Sequence, residues 1–196
     1  MRLWYKSKQF RPVADHVPPA KNALIEEYVG TDPDRLTFPN VSTCTTITVV
    51  LDDDTLVGTH LSALCTTDDI DKIVARMREL SAGHAARRVA VLGVLRYVGG
   101  VNQRGGVAYT SQPEYAWPTK LDTIAAGFGL TRTAVQYFDQ GMGAEKHYQV
   151  RAIGGGALTA FQQDVGQRRV GTGTASKPFS PSDPWMGLSL LDYPNA

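Results

Sequence analysis

Cysteine is nearly absent: Cys44 and Cys65 are the only two in 196 residues. They form no stapled framework, and a chain of this length buries enough surface to fold without one. Long apolar runs are missing as well. No stretch approaches the length of a membrane span, and no apolar core follows the charges at the N-terminus, so no cleaved signal peptide is read. The expected location is the cytoplasm, or a target cell reached by a route that needs no cleaved signal. A surplus of charge is lacking too. A net charge of +1 gives no strong pull toward nucleic acid or a membrane surface. Histidine is sparse: His16, His60, His84 and His147 are scattered, without the spacing of a ligand set. Neither a metal nor a cofactor is expected.

What is present is an ordinary globular composition, 42% apolar and 20% charged. Residues 1–165 read as a single catalytic domain, and 166–196 as an extended C-terminal tail rich in Gly, Ser, Thr, Pro and Arg. Trp185, Leu188 and Leu190 would let that tail dock on the body.

The most informative stretch runs from Asn40 to Ser62. Thr45–Leu51 sets Thr46 and Thr48 against Ile47, Val49 and Leu51, the period of a half-buried strand. An acidic turn, Asp52–Asp54, separates it from a second strand carrying Leu56, Gly58 and His60 on one side. Sixteen positions separate Cys44 from His60, so a hairpin returns the histidine toward the cysteine. A thiol beside an imidazole is the minimum for a nucleophilic cysteine. Cys44 shares parity with Thr46 and Thr48, which predicts an accessible thiol on the more polar face. Thr43 and Thr45 flank it and leave backbone N–H groups open for an oxyanion. Asn40 and Thr37, just upstream, are candidates to orient His60. His147 reads as structural or exposed, and His16 and His84 as surface residues.

The rest of the chain is read by period and breakers. Residues 1–5 suit a short strand, and the prolines between Arg11 and Pro19 break regular structure. Ala20–Val29 is read as a helix with Ala23, Leu24 and Tyr28 inward, followed by a turn at Asp32–Asp34 and an approach segment, Arg35–Asn40. Thr66–Asp69 starts an amphipathic helix with Ile70, Ile73, Val74, Met77 and Leu80 on one face. Arg88–Leu95 is a central strand buried on both faces. The glycines of 97–106 fit neither a phosphate loop nor a dinucleotide fingerprint, so this segment is read as a flexible loop. A short helix begins at Thr119. Strands follow at 133–138, 146–153 and 157–162, the last after the turn Gly154–Gly156. The fold class is α+β, a β-sandwich or bent mixed sheet with helices packed outside.

Ser42-x-Cys44-Thr45-Thr46-Ile47, followed by Thr59-His60 and Ser62, resembles the catalytic core of the cytotoxic necrotizing factor deamidases. Those toxins carry a Ser-Gly-Cys-Thr-Thr-Ile strand and a His on the next strand; here Thr43 stands where they have Gly. The wider superfamily includes the chemoreceptor glutamine deamidases (CheD-like) and the Burkholderia lethal factor. The resemblance spans residues 40–62. It implies a β-sandwich flanked by helices, with Cys44 and His60 as the catalytic pair, no cofactor, and a partner protein carrying the target glutamine. The implied reaction is hydrolysis of a protein glutamine side-chain amide to glutamate, or transglutamination if an amine replaces water, by a bacterial toxin or effector. Three other readings stay open: a cysteine hydrolase of another substrate, a non-enzymatic binding module using the aromatics of 97–117 (Tyr97, Tyr109, Tyr115, Trp117), and an inactivated relative serving as an immunity or adaptor protein.

Overall fold

The computed structural model describes residues 3–6, 9–11, 22–24, 26, 28–62, 67–101, 107–111, 116–165, 167–170, 173–176, 179–180 and 182–193. In chain order the first strands are β1 (Leu3–Lys6), β2 (Gln9–Arg11), β3 (Tyr28–Asp32), β4 (Arg35–Val41), β5 (Thr45–Leu51) and β6 (Leu56–Leu61). Helix α1 (Thr67–Leu80) follows, then β7 (Ala86–Gly93), β8 (Tyr97–Val101) and β9 (Val107–Ser111). Helix α2 (Ala116–Gly127) and a short 3-10 turn (Arg132–Ala134) lead to β10 (Val135–Asp139), β11 (Lys146–Gly154) and β12 (Ala157–Asp164). The C-terminal part contributes β13 (Gln167–Val170), β14 (Gly173–Ser176), β15 (Met186–Leu188) and β16 (Leu191–Asp192).

One sheet has eight strands in the order β16-β10-β7-β5-β6-β3-β1-β2, and a second has four in the order β15-β12-β11-β4. The larger sheet is mixed, because β7 and β10 run parallel while β5 is antiparallel to both neighbours. The smaller sheet is antiparallel throughout. This is an α+β fold with a bent, unclosed mixed sheet. No described helix is long and apolar enough to cross a membrane.

The large sheet is the middle layer. On one face Ile47, Val49, Leu51, Val57, Val89 and Val91 pack with Ile70, Ile73, Val74 and Met77 of α1 and Leu121, Ile124 and Ala125 of α2. On the other, Val50, Leu56, Ala90 and Leu92 pack with Leu36 and Phe38 of β4 and Tyr148 and Val150 of β11. β5 is therefore covered twice, and all seven of its residues are buried. The expectation of a half-buried strand is corrected here. Its Thr/aliphatic alternation is real, but the threonine side faces the second sheet rather than water.

Three further expectations are corrected. Tyr28 and Val29, the end of the expected helix, open strand β3, and ahead of them the Asn22 carbonyl accepts from Thr37 N–H (2.9 Å) while Leu24 N–H donates to the Thr37 carbonyl (2.7 Å). Ala23 and Leu24 are fully buried there, so long-range pairing overrides a weak helical period. The approach segment 35–40 is strand β4, paired with β11. Residues 97–101 of the glycine-rich segment are strand β8, paired with β9: Gly99 lies opposite Tyr109 and Gly100 opposite Ala108. Residues 102–106, His16, Cys65 and Tyr115 lie outside the described residues, as do the side chains of Tyr109 and Trp117. The tail pairs with both sheets, β15 on β12 and β16 on β10, and Tyr193 is buried.

Gly58 sets how closely the two sheets approach above the ladder. A Cβ there would lie 2.6 Å from Leu36 Cδ1, 3.1 Å from the tip of Phe38 and 3.2 Å from the Ile47 carbonyl oxygen. Leu36 can rotate away, but the carbonyl is fixed in the β5 ladder. Gly58→Ala is expected to lower stability by about 1–3 kcal/mol through overpacking, read as a lower denaturant midpoint at unchanged m-value.

Candidate functional site

The β5–β6 register places Thr46 directly opposite His60 and Thr45 opposite Leu61. Cys44 stands just ahead of β5, next to the Thr45–Leu61 pair, and belongs to the buried cluster between the sheets. Cys44 is 4% exposed and His60 1%. The expected accessible thiol is thus corrected: Cys44 is packed in the inter-sheet core with Val41, Leu92 and Tyr148. The parity argument identified the face correctly but not what covers it.

The ring of His60 is held at one nitrogen and at one edge. Its Nδ1 lies 3.2 Å from the Leu24 carbonyl oxygen. A carbonyl only accepts, so Nδ1 carries the hydrogen and Nε2 holds the lone pair. Phe38 packs edge-on at 6.3 Å between ring centroids. Nε2 is buried and has no hydrogen-bond partner among the described residues. Burial pushes the histidine pKa down to about 4, opposed by the Leu24 carbonyl and by the charge of Glu26. The imidazole is therefore neutral at pH 7, with a free lone pair inside a dry layer. Thr48 Oγ1, on the same face, is also buried without a partner.

The orienting carbonyl was not legible in the sequence, because residue 24 reads as one of several apolar positions in a helix. Thr37, a named candidate, contributes through its backbone, which anchors Asn22 and Leu24. Its hydroxyl accepts from Gln149 Nε2 at 3.2 Å. Asn40 does not orient His60. It is exposed with φ of 56°, and its N–H donates to His147 Nδ1 at 3.0 Å. His147 is buried beside Phe179, and burial lowers its pKa, so it serves the structure.

Cys44 is fixed mainly through its backbone. Its carbonyl accepts from Val94 N–H at 3.0 Å, and the Thr45 hydroxyl donates to the Val94 carbonyl at 3.0 Å. Gly93, at φ of 124°, makes this approach possible: a Cβ there would lie 2.3 Å from the Cys44 oxygen. Thr43 and Thr45 face the helix side, where they line a small cleft with Ser62, Val94 and Tyr97. The Thr45 hydroxyl is committed to the Val94 carbonyl. Among the described residues, the acid and histidine atoms of Asp52, Asp53 and His84 lie within 4.8 Å of one another, all exposed and remote from Cys44 in the sheet.

Because His60 stays neutral when folded, the unfolded chain binds one more proton between its ordinary pKa of 6.5 and the folded value of about 4. Its contribution is complete above 6.5 and is lost as pH falls through that window, in total on the order of 3 kcal/mol. Stability measured by denaturant titration is expected to fall across pH 6.5–4, and His60→Gln is expected to flatten that part of the profile. No protein-family model matches this chain, and comparison with curated proteins finds no match.

Proposed function

We propose that the chain is a cysteine-dependent amidohydrolase acting on the side-chain amide of a protein glutamine. The observation that carries this reading is the state of His60: Nδ1 tied to the Leu24 carbonyl, Nε2 without a partner, and Cys44 buried in the same inter-sheet layer, just ahead of β5. A fixed tautomer with an uncommitted lone pair is what a general base requires, and the thiol has to approach Nε2 for the proton to pass.

In this mechanism Nε2 takes the thiol proton as sulfur attacks the amide carbon. Backbone N–H groups beside Cys44 hold the oxyanion. The imidazolium returns its proton to the nitrogen as the C–N bond breaks, and ammonia leaves a thioester. Water, deprotonated by Nε2, then attacks the thioester, giving glutamate and the free thiol. A primary amine in place of water would give a cross-linked product from the same intermediate. The imidazole rests neutral at pH 7, so it is free to take the thiol proton as sulfur attacks. The substrate is a partner protein, as the resemblance at residues 40–62 implies for a toxin or effector.

The burial of Cys44 equally suits an inert structural thiol, as in a binding module. Alkylation separates the two. With iodoacetamide near neutral pH, read by intact mass and peptide mapping, Cys44 is expected to react at least tenfold faster than Cys65, and His60→Ala to abolish the difference, within the range of base assistance of roughly a hundredfold or more. A Cys44 no more reactive than Cys65 removes the catalytic reading. On the same base, the rate–pH profile of Cys44 is expected to fall on the acid side near the pKa of about 4 held by His60. Incubation with a substrate protein should add about one mass unit per modified glutamine, from NH replaced by O.

A further inference from the structure

The chain crosses from the small sheet to the large one in three residues, Ser42–Cys44, between the end of β4 and the start of β5. Backbone carbonyls in such a crossover leave one ladder before joining the next and need other donors. Gln140, the residue after β10, supplies them. Its Nε2 lies 2.9 Å from the Ser42 carbonyl oxygen, 3.2 Å from that of Val41 and 3.3 Å from that of Ala144. Its backbone N–H donates at 2.9 Å to the carbonyl of Gly93, the glycine whose missing side chain leaves room for the Cys44 oxygen. Its Oε1 accepts from the Tyr148 hydroxyl at 2.6 Å. Tyr148 stands on β11 of the small sheet and is fully buried.

The two sheets are thus joined at the nucleophile by one side-chain amide. Tyr148 can only fix the amide if its hydroxyl donates, and burial raises its pKa, which keeps the proton on it. With Oε1 taken, the NH2 faces the crossover, where its hydrogens serve the carbonyls of Val41 and Ser42, the residues directly preceding Ser42 and Thr43.

We propose that Gln140, oriented by Tyr148, is a positioning residue that holds the crossover from which the Cys44 thiol is presented to His60. This rests on the cysteine–histidine reading above. Gln140 touches neither substrate nor sulfur in this role. It acts by holding the two peptide units upstream, and misplacement on the order of 1 Å can cost about a hundredfold in rate.

The test is a double-mutant cycle on alkylation of Cys44 by iodoacetamide in the full chain. The quantity is the factor by which His60→Ala slows the reaction, measured in the wild-type background and again with Gln140→Leu or Gln140→Glu. Glu keeps the shape but faces the carbonyls with a carboxylate. Looser access alone changes both rates of a background and leaves the factor intact. If Gln140 positions the thiol, the factor falls from tenfold or more to near one in both variants, and the acid limb of the rate–pH profile near pH 4 disappears while near-UV circular dichroism stays native. A factor and limb unchanged by both substitutions overturn the proposal. If both variants lose the native near-UV signal, Tyr148→Phe, which removes only the orienting hydroxyl, decides: a reduced factor supports the proposal and an unchanged one overturns it. If His60→Ala fails to slow the wild-type reaction, the cysteine–histidine reading falls and takes this one with it, whereas a large wild-type factor that survives loss of Gln140 removes the clamp alone.

Discussion

The β5–β6 ladder is covered on both faces, and most of the local structure answers that constraint. In a two-sided strand every polar side chain must find a partner inside the protein or remain at a cost. Thr45 donates to the Val94 carbonyl and Thr46 to the Leu92 carbonyl, so both threonines return to β7 and the residue beyond it. His60 returns to Leu24 with one nitrogen. What is left over is Nε2 of His60 and Oγ1 of Thr48 on the inter-sheet face, and Oγ1 of Thr59, opposite Ile47, on the helix face. An unsatisfied imidazole nitrogen in an apolar layer is an expensive feature, and a reacting proton is one use that would justify it.

The same burial decides the electrostatics. A histidine in water would be partly charged near neutrality. Between two sheets, with Phe38 at its edge and only a carbonyl as partner, the neutral ring is favoured by desolvation. The Leu24 carbonyl and Glu26 pull the other way without prevailing. Leu24 is held in turn by the β4 backbone at Thr37, so the small sheet orients the histidine while the large sheet carries it. Cys44 shows a similar division. Gly93 of the large sheet leaves room for its carbonyl, Val94 N–H donates to it, and the crossover before it is capped by Gln140, which Tyr148 of the small sheet holds. The pair therefore exists only where the two sheets meet.

Much of this was legible along the chain. The amphipathic stripe from Ile70 to Met77 is helix α1, the apolar run near Val89–Leu92 is a central strand, and Gly154–Gly156 is a turn with positive φ throughout. The period of Thr46 and Thr48 placed them on one side of the first strand and Gly58 and His60 on one side of the second, and the register sets Thr46 opposite His60 and Thr48 opposite Gly58. Period alone failed where a few apolar residues fit two patterns. Ala23, Leu24 and Tyr28 suit a helix, yet their backbone is taken up by Thr37 and by the large sheet. Gly99 and Gly100 suggested a loop, yet they pair across a hairpin with Ala108 and Tyr109.

The sequence by itself determined the local elements and the side of the ladder on which Thr46 and His60 stand, because side-chain alternation is a property of neighbouring residues. Tertiary structure decided that this side is buried, that the partner of His60 is a backbone carbonyl from Leu24, and that Gln140 and Tyr148 hold the crossover before Cys44. A backbone carbonyl is common to every residue and leaves no mark in composition. Its position is set by pairing between segments distant in the chain, which no local period encodes.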